Sequence, residues 1–169
     1  EHLDVVPSHP DLQEIQAKLE TRHKIFKLRS LLDSLLGYDA VFLDTPPALG
    51  FYTISALIAA RYCLVPFDCD EFSRHGIDHL VATLAEVRDD HNPALKLGGV
   101  IVNQFQPRAK HPQQMVETLR ADGLPVLEPY LGSTVKVRES HQAHQPLVTL
   151  FPRHKLADQF RQLSAALPR

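Results

Sequence analysis

The stretch Tyr38–Phe51, YDAVFLDTPPALGF, decides the fold. Within it, Ala40-Val41-Phe42-Leu43 is a continuous apolar run, not an alternating one. Such a run predicts a strand buried on both faces, as in a parallel sheet. It ends on Asp44 and then on Thr45-Pro46-Pro47. Two prolines stop a strand, because neither can donate a ladder hydrogen bond. Asp44 is therefore expected at the carboxyl end of a central strand, where open α/β sheets bind their ligands. A carboxylate there either serves Mg²⁺, directly or through a bound water, or caps the next helix.

Outward from that stretch, strand and helix patterns alternate. Leu3–Val6 is a short strand pattern closed by Pro7-Ser8. Asp11–Leu36 carries apolar residues at helical spacing and predicts one long or broken helix, stopped at Gly37. On the other side come a helix over Thr53–Ala60, a strand over Tyr62–Phe67 and a loop at residues 68–71. A helix follows over Phe72–Asp90, with Ile77, Leu80, Val81, Leu84 and Val87 as its buried stripe. Leu97–Val102 is a second apolar strand, ending on Asn103. Gln113–Ala121 is a helix closed by Gly123, and Leu124–Pro129 a short strand. Thr134–Ala143 and Pro152–Leu167 are two last helices. This rhythm predicts one α/β domain over residues 1–169, a mostly parallel sheet flanked by helices.

Composition narrows the class. A chain of 169 residues with 44% apolar and 22% charged side chains can build one real core. The net charge of −2 does not mark the whole chain as a nucleic-acid binder. No apolar stretch approaches the ~18–20 residues a membrane span needs, and no signal-peptide pattern opens the chain. Cys63 and Cys69 read as reduced thiols of a cytosolic protein. His75 and His79 have metal-compatible spacing, but no third ligand is placed by the sequence.

Asn103 is the second candidate for chemistry. An asparagine at a strand's carboxyl end can present its amide to a purine edge, donating and accepting at once; it is equally a common turn residue. The second half of the chain is the more basic, with Lys136, Arg138, Arg153 and Lys155 its leading candidates for phosphate contacts. Interspersed acidic residues leave a merely solvated surface open.

The hydrophobic strand followed by D-T-P-P-x-L-G resembles the Walker B-like motif of the ParA/MinD family, the deviant Walker partitioning and positioning ATPases of ParA/Soj type. Thr53–Ala60, Val65-Pro66 and Gly76 continue the likeness in register. Leu3–Ser8 is similar to the family's L-x-V-I-P-S segment, and Lys136–Ser140 to its R-x-R-x-[SA]-E-A segment. The resemblance implies a P-loop NTPase-like fold that binds ATP or ADP with Mg²⁺. Asp44 would organise the metal through water, and Thr45-Pro46-Pro47 would be the switch sensing the γ-phosphate. Asn103 would contact adenine, with Pro129 to Ser133 as the other wall of the base pocket. It further implies an ATP-dependent homodimer in the bacterial cytoplasm, nonspecific DNA binding at the nucleoid, and a ParB-like centromere-binding partner. A MinD-like positioning ATPase and a non-catalytic scaffold of the same fold are the alternatives. The MinD version ranks lower because the terminal helix has only a narrow apolar stripe.

The departure concerns the phosphates. The family's K-G-G-x-G-K-[ST] loop belongs about a hundred residues before D-T-P-P, and no G-x-x-x-x-G-K-[ST] pattern occurs in this sequence. The resemblance therefore covers the C-terminal two-thirds of the family's domain, with the sheet incomplete at its N-terminal side. By itself this polypeptide is expected neither to hydrolyse ATP nor to hold nucleotide tightly. It is also expected to self-associate, to rearrange its sheet, or to derive from a longer protein by proteolysis, because the strand beside D-T-P-P is not in the sequence.

Overall fold

A computed structural model describes residues 3–21 and 24–168. In chain order its elements are α1 (Asp11–Thr21), a 3-10 turn (Lys24–Phe26), α2 (Lys27–Leu32), α3 (Phe51–Ala59), β1 (Tyr62–Phe67), α4 (Glu71–Asp90) and β2 (Lys96–Val102). There follow α5 (Lys110–Ala121), β3 (Val126–Leu127), α6 (Lys136–Gln142), α7 (Leu147–Leu150) and α8 (Lys155–Ala166). The chain groups into two units, one of residues 1–61 and 86–95, the other of residues 62–85 and 96–169.

The second unit holds the sheet. Its apolar runs pair in parallel in the order β1-β2-β3, with Phe67 opposite Val102 and Ile101 opposite Leu127. Val65, Phe67, Val100 and Val102 meet Ile77 of α4 and Met115, Val116 and Leu119 of α5 in one core. A second core joins Leu131, Leu147, Leu156, Ala157 and Leu163, so α7 and α8 pack with the segment after β3. Gly99 lets β2 and β3 approach, since a methyl built there would overlap the Leu127 side chain. Gly123 takes φ +77 just past α5, and Leu124 N–H reaches back to Leu119 O at 3.0 Å, a glycine-terminated helix end. The sheet is parallel and flanked by helices, as the alternating pattern predicts.

In the first unit α3 is buried through Thr53, Ser55, Ala56, Leu57 and Ile58, and Val87 and Leu95 are buried as well. The carboxyl end of α3 is closed by Asn92, whose buried Nδ2 donates to Leu57 O (3.0 Å) and Ala60 O (2.8 Å). Those carbonyls have no intrahelical partner and are satisfied by the side chain instead.

Three expectations need correction here. Ala40–Leu43 is not a strand: Val41 is 48% and Phe42 74% exposed, and the run joins none of the described strands. An apolar run becomes a buried strand only when neighbours pair its backbone and cover its faces, and composition alone supplies neither. Leu3–Val6 is likewise exposed, irregular chain, with Val6 96% accessible. The expected helix over 11–36 is divided and ends at Leu32, five residues before Gly37; Arg22 and His23 lie outside the described residues. Near that end Ser30 Oγ donates to Phe26 O and Ser34 Oγ to Leu31 O, local bonds that compete with helix continuation.

Candidate functional site

Two groups of candidate residues lie in different units. In the first unit, Asp44 ends the apolar run as an exposed carboxylate. The Thr45-Pro46-Pro47 turn after it is tied to α3 by Thr53, a buried threonine in the helix's first turn. Its hydroxyl donates to Ala48 O at 2.7 Å, with Pro46 O at 3.3 Å. A polar side chain inside the helix thus fixes where the proline turn stands. Among the described residues no cluster of three or more His, Cys, Asp or Glu is placed to hold a metal, His75 and His79 included. A single exposed carboxylate fits Mg²⁺, which keeps several waters and takes one or two carboxylates together with phosphate oxygens.

In the second unit, the carboxyl ends of β1 and β2 bring Asp68, Asn103 and Gln104 together. Asn103 N–H extends the ladder to Phe67 O at 2.8 Å, one rung beyond the strands. Asn103 Nδ2 then donates to Asp68 Oδ1 at 2.9 Å, and Gln104 Nε2 to Asp68 Oδ2 at 3.1 Å. Residues 68 and 104 were not candidates from sequence. Their convergence depends on the β1-β2 register, which no local pattern encodes.

Phe105, two residues past Asn103, lines a cavity of about 420 Å³ together with Tyr130, Gly132, Ser133, Thr134 and Lys155; Asp68, Asn103 and Gln104 are not among its lining residues. Phe105 N–H donates to Leu131 O at 2.9 Å, and its ring meets Tyr130 edge-on with centroids 4.8 Å apart. From α8, Gln159 closes the floor: Nε2 donates to Tyr130 O at 2.7 Å and Oε1 accepts from Gly132 N at 3.3 Å. Burial raises the Tyr130 hydroxyl pKa, while Arg120 beside its ring opposes the shift. Cys69, next to Asp68, is pushed up to about 11 by burial and by its two aspartate neighbours, so at neutral pH it is a thiol and not a nucleophile.

The structure places the other candidates as follows. Pro129 follows β3 through a cis peptide bond but is not among the cavity-lining residues, whereas Tyr130 and Gly132–Thr134 are. Lys136 is half-buried, paired with Glu139 at 2.7 Å and set over the Phe151 ring at 4.8 Å. Arg138, Arg153 and Lys155 are exposed, and Lys155 also lines the cavity.

The family model described as an AAA domain matches residues 1–97, more than half of the chain. The chromosome partitioning protein ParA of Myxococcus xanthus is 36% identical over 121 residues, 70% of this chain and 43% of the relative. The chromosome-partitioning ATPase Soj of Thermus thermophilus is 33% identical over 161 residues, 95% of this chain and 64% of the relative. This chain belongs to the ParA/Soj-type ATPase family. It spans about half the length of the curated ParA and Soj relatives it matches. Among solved structures, cobyrinic acid a,c-diamide synthase from Mycobacterium smegmatis superposes with a TM-score of 0.78 at 27% identity, over 94% of this ParA/Soj-type chain and 59% of that one. A structure of that synthase holds ADP and magnesium. McdA from Cyanthece shares the fold, with a TM-score of 0.83 at 18% identity, over 95% of this chain and 66% of that one.

Proposed function

We propose that this chain is the switch-bearing and base-recognising part of a ParA-like positioning ATPase of the bacterial cytoplasm. The observation that carries the reading is the edge of the second unit. Asn103 stands at the carboxyl end of a parallel strand, where such sheets bind ligands, two residues before Phe105, which lines a cavity with an aromatic wall and a polar floor. That combination suits a purine. Asn103 reads the base edge, and the backbone from Tyr130 to Thr134 forms the opposite wall. Asp44 holds Mg²⁺ through water, and Thr45-Pro46-Pro47, fixed by Thr53, is the segment that answers the γ-phosphate. When bound, the cation neutralises the phosphates. The relatives named ParA and Soj support the partitioning role.

In the intact protein ATP closes a homodimer, and the dimer holds DNA without sequence preference until a ParB-like partner promotes hydrolysis. Arg138, Arg153 and Lys155 support the DNA contact by their exposure on one structural unit; Lys136 is already paired. The exposed Phe42, Val41 and Val6 support self-association.

The test is fluorescence anisotropy with a ribose-labelled ATP in the presence of Mg²⁺. Binding about millimolar or weaker, displaced by ATP and far less by GTP, is expected; displacement equal for both would refute base recognition. For DNA, affinity should fall steeply with salt, its log–log slope smaller by about one for each phosphate-contacting cation removed. Retention that ignores salt would refute the phosphate contacts.

A further inference from the structure

We infer that Asp68 is a positioning residue that sets base specificity, by fixing which face of the Asn103 amide meets a purine. The inference rests on the reading of Asn103 given above.

The geometry is built for this arrangement. In a strand, consecutive side chains point to opposite faces, so residues 103 and 104 would not ordinarily reach one group. Here Gln104 has φ +50 and Cys69 has φ +57, left-handed conformations that non-glycine residues rarely adopt. They stand immediately after Asn103 and Asp68. Both strands turn at the point where the ladder ends, and the two amides converge on one carboxylate, at 2.9 and 3.1 Å. Backbone strain of this kind persists only where surrounding bonds over-determine it.

A carboxylate is acceptor-only, so both amides must face it with nitrogen, not oxygen. Asn103 has two N–H donors and one carbonyl. Asp68 consumes one N–H, and the carbonyl accepts no hydrogen bond among the described residues. What remains is one donor and one acceptor. That pair complements the N6/N7 edge of adenine, which offers an amino donor and a ring-nitrogen acceptor. A 6-oxopurine offers two acceptors, O6 and N7, along the same edge. Asn103 could serve both only by giving up Asp68. On that N7 edge Asp68 thereby disfavours the wrong base without touching either one, and Gln104 braces the carboxylate from its second oxygen.

The experiment is competition of ATP and ITP, which differ at the purine 6-position, for the labelled ATP on the chain with Mg²⁺. Wild type is expected to prefer ATP by about tenfold, the worth of one to two hydrogen bonds. Asp68→Asn and Asp68→Ala should each cut the preference to roughly a third or less, and the side-chain amide signals of Asn103 and Gln104 should both move in nitrogen-15 spectra. Unchanged preference in both variants, with Asn103→Ala abolishing it, overturns the role of Asp68 and leaves Asn103 as the base reader. A preference that survives Asn103→Ala, or wild-type protein that binds neither nucleotide, overturns the base-recognition reading and this inference with it.

Discussion

Two glycine-to-alanine substitutions should move stability in opposite directions, and the structure says why. At Gly99 in β2, an added methyl would overlap the side chain of Leu127 on the neighbouring strand, at its branch point as well as at its tips. The leucine cannot swing freely, because it packs against the Leu131–Leu156 core. Overpacking of this kind costs about 1–3 kcal/mol. At roughly 2–4 °C per kcal/mol for a chain of this size, Tm falls by about 2–12 °C. At Gly76 in the middle of α4, a methyl meets nothing within 4 Å. There alanine gains helix propensity and restricts the unfolded chain, worth about 0.4–1 kcal/mol, and Tm rises by about 1–4 °C. Differential scanning calorimetry of both variants beside wild type reads the pair. If Gly99→Ala melts at or above the wild-type temperature, the close approach of β2 to β3 is wrong, and with it the position of the cavity beyond β3.

Other consequences follow from single contacts. Asn92→Ala strands the carbonyls of Leu57 and Ala60 and should cost about 2–4 kcal/mol in urea unfolding; a loss below about 0.5 kcal/mol would mean that water replaces the side chain. Cys69 should react slowly with iodoacetamide at pH 8 in the folded state, its rate climbing roughly tenfold per pH unit toward about 11; a plateau near pH 9 would contradict its burial. Because its folded pKa lies above the unfolded value, the stability tied to that proton is intact below pH 9 and is lost as pH rises toward about 11. Cys69→Ala should remove that part of the alkaline loss. Thr53→Val keeps the shape of α3 but frees the Pro46–Ala48 carbonyls, so proteolysis within residues 44–50 should speed up; unchanged cleavage would show that the turn is held by other contacts.

The parts of the fold readable from sequence are those whose determinants are local. The strand at Tyr62–Phe67 and the helices α3 and α4 have long, uninterrupted signals and stand within a residue or two of their expected bounds. Ala40–Leu43 has an equally strong composition and forms no strand, because pairing belongs to the neighbours, not to the run. α7 has no sequence signature, since four residues after a proline carry no period. Similarly, Asn103 was visible as an amide ending an apolar strand, whereas Asp68 looked like an ordinary loop aspartate. Its meaning arises from the register Phe67 opposite Val102 and from two left-handed residues. Gln159, which floors the cavity, sits 29 residues beyond Tyr130 on a helix whose polar face gives no hint of a backbone partner.

Nitrogen-15 shift mapping with adenosine tests most directly whether the cavity lined by Phe105 and Tyr130 receives adenine. The account predicts saturable shifts at Asn103, Phe105, Tyr130 and Gly132 that vanish in Asn103→Ala. Shifts confined to the separate groove formed by Val137, His141, Leu147 and Phe160, or none at millimolar adenosine, would contradict it.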